Sequence, residues 1–121
     1  MKTILFVDDD FMIRTLFSEF FSEEYKVLLA SDGQEGLKLF LENILDIDLV
    51  ITDLLMPIMN GIEMIKAIRA IPKTTKIMVF SGSGGELDKY LKSEDTRIDK
   101  ILLKPVDAFA IQKAIKELLP D

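Results

Sequence analysis

Short apolar runs and longer amphipathic stretches alternate five times along the 121 residues, and no other feature restricts the fold as strongly. The apolar runs are Ile4-Leu5-Phe6-Val7, Val27-Leu28-Leu29, Leu49-Val50-Ile51, Ile77-Met78-Val79-Phe80 and Ile101-Leu102-Leu103. Their brevity and lack of alternation suit strands buried on both faces. The intervening spacing predicts helices over 11–21, with Ile13, Leu16, Phe17 and Phe20 at helical intervals, and over 36–43, with Leu37, Phe40 and Leu41 on one face. Ser31-Asp32-Gly33 turns the chain ahead of the second of these. Further helices are predicted over 62–70, with Ile62, Ile65 and Ile68 inward, within 86–93, where the segment is shorter and more polar, and over 108–118.

Strand–helix order repeated in this way implies an α/β fold with a parallel sheet and right-handed crossovers. No repeat, low-complexity tract or linker interrupts it, so the chain reads as one domain spanning 1–121. Length is sufficient for a self-contained core. The opening apolar run ends at Asp8-Asp9-Asp10, too soon for a signal peptide. No run approaches the roughly 20 apolar residues of a membrane helix. The expected compartment is the cytoplasm, with no membrane partner.

Parallel sheets of this kind build their sites at the carboxyl ends of the strands. Asp8, Asp9 and Asp10 follow the first strand, Asp53 the third, Ser81 the fourth, and Lys104 with Pro105 the fifth. Two carboxylates about 4 Å apart repel by about 4 kcal/mol at an effective dielectric of about 20. Either one retains its proton or a cation lies between them. A hard divalent ion fits an all-oxygen set, and Mg2+ is the one suited to phosphate chemistry. Asp53 would place an oxygen nucleophile at the mouth of the site, since carboxylates form acyl phosphates. Lys104 would be the counter-charge, and the Ser81 hydroxyl a donor to a phosphoryl oxygen. Plainer roles compete: Asp10 as a cap for the first helix, Asp53 as a turn residue satisfied by backbone amides, Ser81 as a loop hydroxyl. Pro105 tells against Lys104 being an ordinary surface lysine, because X-Pro bonds can be cis and fix a tight turn.

Composition narrows the chemistry. There are no cysteines and no histidines, which excludes disulfide scaffolds, thiolate metal sites and histidine acid–base catalysis within the chain. A net charge of −6 is poorly matched to direct nucleic-acid binding.

Taken together, these residues resemble the receiver domain of bacterial two-component response regulators, of the chemotaxis-regulator type, over essentially the full length. The resemblance rests on Val7-Asp8-Asp9-Asp10 with Arg14, on Ala30-Ser31-Asp32-Gly33-Gln34-Glu35, on Thr52 through Gly61 (TDLLMPIMNG), and on Lys104-Pro105. It implies a flavodoxin-like (βα)5 three-layer sandwich with strand order 2-1-3-4-5. It implies that Asp53 is the phosphoacceptor. Asp9 would be a direct ligand to Mg2+, Asp8 would act mainly through a water, and Asp53 and the Leu55 backbone carbonyl would complete the protein ligands. Lys104, preceding a cis bond to Pro105, would bind the phosphoryl group, and Ser81 would move toward it on activation. The implied partners are a sensor histidine kinase or phosphotransfer protein as donor and a downstream protein target or output domain as receiver of the signal. The chain would be a monomer or a phosphorylation-dependent dimer, stand-alone or part of a longer protein.

Three departures from the family pattern stand out. Ile101 replaces the aromatic residue common three positions before the lysine, which removes the usual rotamer switch. Gly82-Ser83-Gly84-Gly85 replaces a less glycine-rich loop. The segment 92–99 lacks the usual Gly-Ala. The expectation is a short or mobile helix within 86–93 and an altered output face. Leu55 and Ser83 stand where the family tunes phosphoryl lifetime, and an apolar Leu55 would limit water access. On the first helix, core packing should account for most of Phe11, Met12, Ile13, Leu16, Phe17, Phe20 and Phe21, with any exposed remainder available to a partner. Loop and helix packing should likewise account for Met56, Ile58, Met59 and Met64.

Other functions fit less well. An aspartyl-phosphate phosphohydrolase typically needs a second acid two residues after its nucleophile, where this chain has Leu55. A nucleotide-binding flavodoxin-like protein needs a glycine-rich loop after the first strand, which is missing. A phosphate-independent binding domain is suggested by Ile101 but opposed by the intact Asp8, Asp9, Asp53 and Lys104. The sequence therefore reads as a signalling receiver and not as an enzyme acting on separate substrates.

Overall fold

A computed structural model describes residues 1–82 and 94–120. Five strands, β1 (Thr3–Val7), β2 (Lys26–Ala30), β3 (Ile47–Asp53), β4 (Lys76–Ser81) and β5 (Lys100–Leu103), form one sheet. All neighbours are parallel and the order is β2-β1-β3-β4-β5, the expected topology. Helices α1 (Phe11–Phe21), α2 (Gly33–Glu42), α3 (Gly61–Arg69) and α4 (Ala108–Leu118) flank it, with a 3-10 turn at Glu94–Thr96. The helix expected within 86–93 and the character of the 82–85 loop beyond Gly82 fall outside the described residues.

Successive strand residues point to opposite faces, and β1 shows what that does to the core. Leu5 and Val7 join Phe40, Met64, Ile65 and Ile68 beneath α2 and α3. Ile4 and Phe6 join Phe17, Phe21, Ile111 and Ile115 beneath α1 and α4. The sheet is thus covered on both sides, which is why its strands read as unbroken apolar runs. Among the described residues no helix is long and apolar enough to cross a membrane.

Capping residues move two boundaries from their expected positions. Asp32 accepts from the Glu35 amide at 2.8 Å, so α2 begins at Gly33 and not at 36. Asn60 and Glu63 form a reciprocal capping box, so α3 begins at Gly61. β3 reaches from Ile47 to Asp53, longer than its apolar centre, because Ile47 pairs with Thr3 ahead of a register shift at Asp48, and Thr52 and Asp53 pair with Val7 and Phe80.

The largest correction concerns α1. Only Phe17 and Phe21 are buried. Phe11, Met12, Ile13, Leu16 and Phe20 are all exposed, so core packing does not account for most of this helix's apolar residues. The reason is angular: Phe17 and Phe21 share one face by their i, i+4 spacing, and a helix on one side of a sheet buries a single stripe. Leu41 of α2 is exposed for the same reason, while Phe40 is fully buried. In the loop before α3, Met56 and Met59 pack on the core, whereas Ile58 is exposed. Ile101 is half-buried against the α2–α3 core.

Candidate functional site

The carboxyl ends of β1, β3, β4 and β5 converge, and they bring the expected side chains with them. Asp8 directly follows β1, its amide donating to Ala30 O at 3.0 Å in continuation of the ladder. Its side chain is buried, 2% exposed, and accepts from the Asp10 amide at 2.9 Å. Asp10 itself caps α1, accepting from the Met12 and Ile13 amides. The plainer role therefore holds for Asp10 and leaves Asp8 and Asp9 for other work. Arg14, one turn into α1, donates to the Asp8 carbonyl at 2.8 Å and fixes the peptide that joins the two acids.

Asp53 ends β3 and is 9% exposed. One carboxylate oxygen from each of Asp8, Asp9 and Asp53 lies within 4.8 Å of the others. Asp53 Oδ1 accepts from the Leu54 amide at 2.7 Å, and Oδ2 accepts from Lys104 Nζ at 2.8 Å. The turn role and the charged role are thus both filled, by different oxygens. Lys104 is delivered by β5: its amide donates to Ser81 O at 2.7 Å, and the bond to Pro105 is cis. Ser81 closes β4 one residue beyond Phe80, the register partner of Asp53, and is buried. Leu55 follows in the loop with 85% of its surface exposed, too little contact to make a packed cover over the acids.

Two glycines allow this crowding. A Cβ at Gly61 would lie 2.5 Å from the Asp53 carbonyl oxygen, and one at Gly33 would lie 2.4 Å from that of Met59. Arg14 and Gly33 hold the site from outside the set of strand-end residues. Arg14 lies within α1, and Gly33 carries no polar side chain, so a search for polar side chains at strand ends passes over both.

Electrostatically the cluster is under-neutralised. Burial raises the Asp8 pKa above its ordinary value, and Asp53 and Asp9 add to the rise; the Asp10 amide and Lys104 oppose it. One lysine facing three carboxylates leaves excess negative charge in a partly desolvated place. The donors are all oxygen. That combination fits a hard divalent cation such as Mg2+.

A family model of the response regulator receiver domain matches residues 4–116. The chain is similar to sporulation initiation phosphotransferase F of Bacillus subtilis, 33% identical over 120 residues that cover 98% of this chain and 94% of that protein. It is also similar to the transcriptional regulatory protein CpxR of Escherichia coli, 36% identical over 120 residues, and spans 50% of that protein's length. Among solved structures, the response regulator TrrA of Thermotoga maritima, in complex with Mg2+ and BeF, superposes with a TM-score of 0.82 at 32% identity, covering 98% of this chain and all of that one.

Proposed function

Because the chain belongs to the response regulator receiver family of two-component signalling, we propose that Asp53 accepts a phosphoryl group from a phosphohistidine on a donor protein and that the phosphorylated state alters the protein's binding surface. The observation that carries this reading is the joining of three carboxylates within 4.8 Å to Lys104 Nζ, 2.8 Å from Asp53. A second acid at the position of Leu55, which a phosphohydrolase would need, is missing.

In the proposed step a carboxylate oxygen of Asp53 attacks phosphorus. The P–N bond to the donor's imidazole breaks, and the electron pair returns to that ring, which takes up a proton. Leu54 N–H and Lys104 hold the Asp53 carboxylate in a fixed orientation before the reaction. Lys104 then turns its ammonium to the phosphoryl oxygens, where charge builds. The Ser81 hydroxyl at the end of β4 donates to the same group and links it to the strand. Asp8, Asp9, Asp53 and the Leu55 carbonyl would hold Mg2+, which supplies charge neutralisation for the transferring phosphoryl group. The presence of Mg2+ and BeF with the Thermotoga relative supports this assignment. A donor protein can seat against an apolar face, and the exposed Leu16 and Phe20 of α1 line a groove that reaches Asp8, with Met12 exposed on the same side of the helix. The cytoplasm is the compartment for such an exchange.

The test is intact-protein mass after incubation with a small phosphodonor, with and without Mg2+, for wild type and Asp53→Asn. One phosphoryl group added only with Mg2+ and only to wild type is the expected result. No addition to the folded wild-type protein under any condition would replace this reading with that of a phosphate-independent binding domain.

A further inference from the structure

The loop that leaves Asp53 and returns as α3 contains a conformation its sequence does not favour. Ile58 has φ 69°, the left-handed region that β-branched residues avoid. The Met59 amide donates to the Pro57 carbonyl at 2.8 Å around it. An i to i+2 bond across a positive φ marks the strained form of the γ-turn. The Ile58 side chain is 76% exposed, so its own packing does not hold the turn in place.

Another element does. The Gly33 amide, at the first position of α2, donates to the Met59 carbonyl at 3.0 Å. The approach is so close that a Cβ at Gly33 would lie 2.4 Å from that oxygen and 2.9 Å from Met59 Cγ. Gly33 does not have a positive φ, so glycine is required here for room and not for torsion. At its base the loop is closed separately, by the Gly61 amide on the Leu54 carbonyl at 2.9 Å. The Gly33 bond thus ties the strained end of the loop to α2, while the other end carries Asp53 and Leu55.

We infer that Gly33 is a positioning residue for the cation site: its contact with the Met59 carbonyl holds the strained loop in the form that presents Asp53 and Leu55 together. The inference rests on the proposed Mg2+ reading of the acidic cluster. Linkage makes it reciprocal. If the closed Gly33–Met59 contact favours the cation, a bound cation must favour the closed contact.

The experiment measures Mg2+ affinity calorimetrically for wild type, Gly33→Ala and Gly36→Ala. Gly36 is one turn along the same helix and also crowded, with Met64 Sδ at 2.7 Å and Val7 at 3.0 Å from an added Cβ, but by core side chains and not by the loop. Gly33→Ala is expected to weaken Mg2+ binding at least fivefold, while Gly36→Ala lowers the melting temperature with affinity unchanged. Equal affinity in Gly33→Ala and wild type, or an equal loss in both variants, overturns the positioning role. Hydrogen exchange on wild type supplies a readout that needs no variant to fold. Saturating Mg2+ should slow exchange of the Gly33 amide, and no change there overturns the inference. Wild type that binds no Mg2+ at all would instead remove the cation reading on which the inference rests.

Discussion

Lys104 Nζ lies 2.8 Å from Asp53 Oδ2 across 51 residues of chain, and its backbone is anchored by a second bond, from its amide to Ser81 O. The lysine is therefore held at the carboxylate before any phosphoryl group arrives. Its side chain is 43% exposed, so the ion pair adds little to stability. Its value lies in the reaction, where charge develops on oxygens next to it. Lys104→Met is expected to slow phosphorylation by a small donor about 10²-fold, with Mg2+ affinity retained and the melting temperature nearly unchanged. Stopped-flow phosphorylation and thermal unfolding on the same samples check both halves.

Asp8 sets a pH dependence of unusual sign. Its folded pKa is raised, first by burial and then by Asp53 and Asp9. A raised carboxyl favours the folded state when protonated. That contribution is complete below the unfolded value of about 3.9 and is lost as pH rises through the folded value. At neutral pH without divalent cations, the charged Asp8 therefore works against the folded state. Asp8→Asn should therefore melt higher than wild type at pH 7, and the gap should close toward pH 4. Mg2+ should reverse the order by stabilising wild type, by about 2.7 kcal/mol at a hundredfold excess over its Kd, and should stabilise the variant less. Thermal scans against pH, with chelator or with Mg2+, test each statement.

Ile58→Asn should stabilise the protein. Asparagine enters the left-handed region far more readily than a β-branched residue, and relief of about 1 kcal/mol is expected. For a chain of this size that raises the melting temperature by roughly 4 °C. Because Ile58 is mostly exposed, little packing is lost in exchange. An unchanged or lower melting temperature would show that the turn is not strained.

The opposite end of the sheet rests on Arg69, whose side chain is only 4% exposed. Its Nε and Nη2 donate to the Arg97 carbonyl, Nη1 to the Thr75 carbonyl at 2.7 Å, and Nη2 also to Asp99 at 3.0 Å. Asp99 in turn accepts from the Ile77 amide. One guanidinium thereby joins the end of α3 to the starts of β4 and β5. Arg69→Met leaves two carbonyls and a carboxylate short of donors and should cost about 3 kcal/mol in urea unfolding. Arg69→Lys should recover little of it, lacking the fork. Neither change should alter Mg2+ affinity, since the acids lie at the other ends of the strands.

The legible parts of this molecule are those fixed by one-dimensional patterns. Strand runs and helical spacing reveal the alternation, and the alternation places Asp8, Asp9, Asp53 and Lys104 together before any contact is known. What escapes is set by approach between distant segments. Gly33 reads as a turn glycine, yet its function is to admit the Met59 carbonyl. Arg14 enters only as part of the motif that carries the resemblance, with no contact assigned, yet it grips the Asp8 peptide. The Arg69 network joins positions 28 and 30 residues apart, with no periodicity to reveal it. On α1, apolar spacing overstates burial because several residues at helical intervals face away from the sheet.

That exposed face supports the last prediction. Met12, Leu16 and Phe20 are 70%, 61% and 50% exposed. They lie at four-residue intervals, hence along one side of α1. An apolar groove of about 760 Å³, lined in part by Leu16, Phe20, Val106 and Ala108, runs from this face to Asp8 and Lys104. A donor protein must bring its phosphohistidine to Asp53, and contact along this groove, which reaches Asp8 and Lys104, would serve that approach. Leu16→Asp and Phe20→Asp should then slow transfer from a phosphohistidine-bearing phosphotransfer protein by about tenfold each, the effect of losing about 1.4 kcal/mol of contact. Phosphorylation by a small donor, which needs no docking, should proceed at the wild-type rate. Leu16→Asp should change stability little, whereas Phe20→Asp also loses its ring contact with Phe21 and should cost about 1 kcal/mol. If both donors slow equally, the substitutions act on the site itself and α1 has no docking role. If neither slows, the donor approaches from another side.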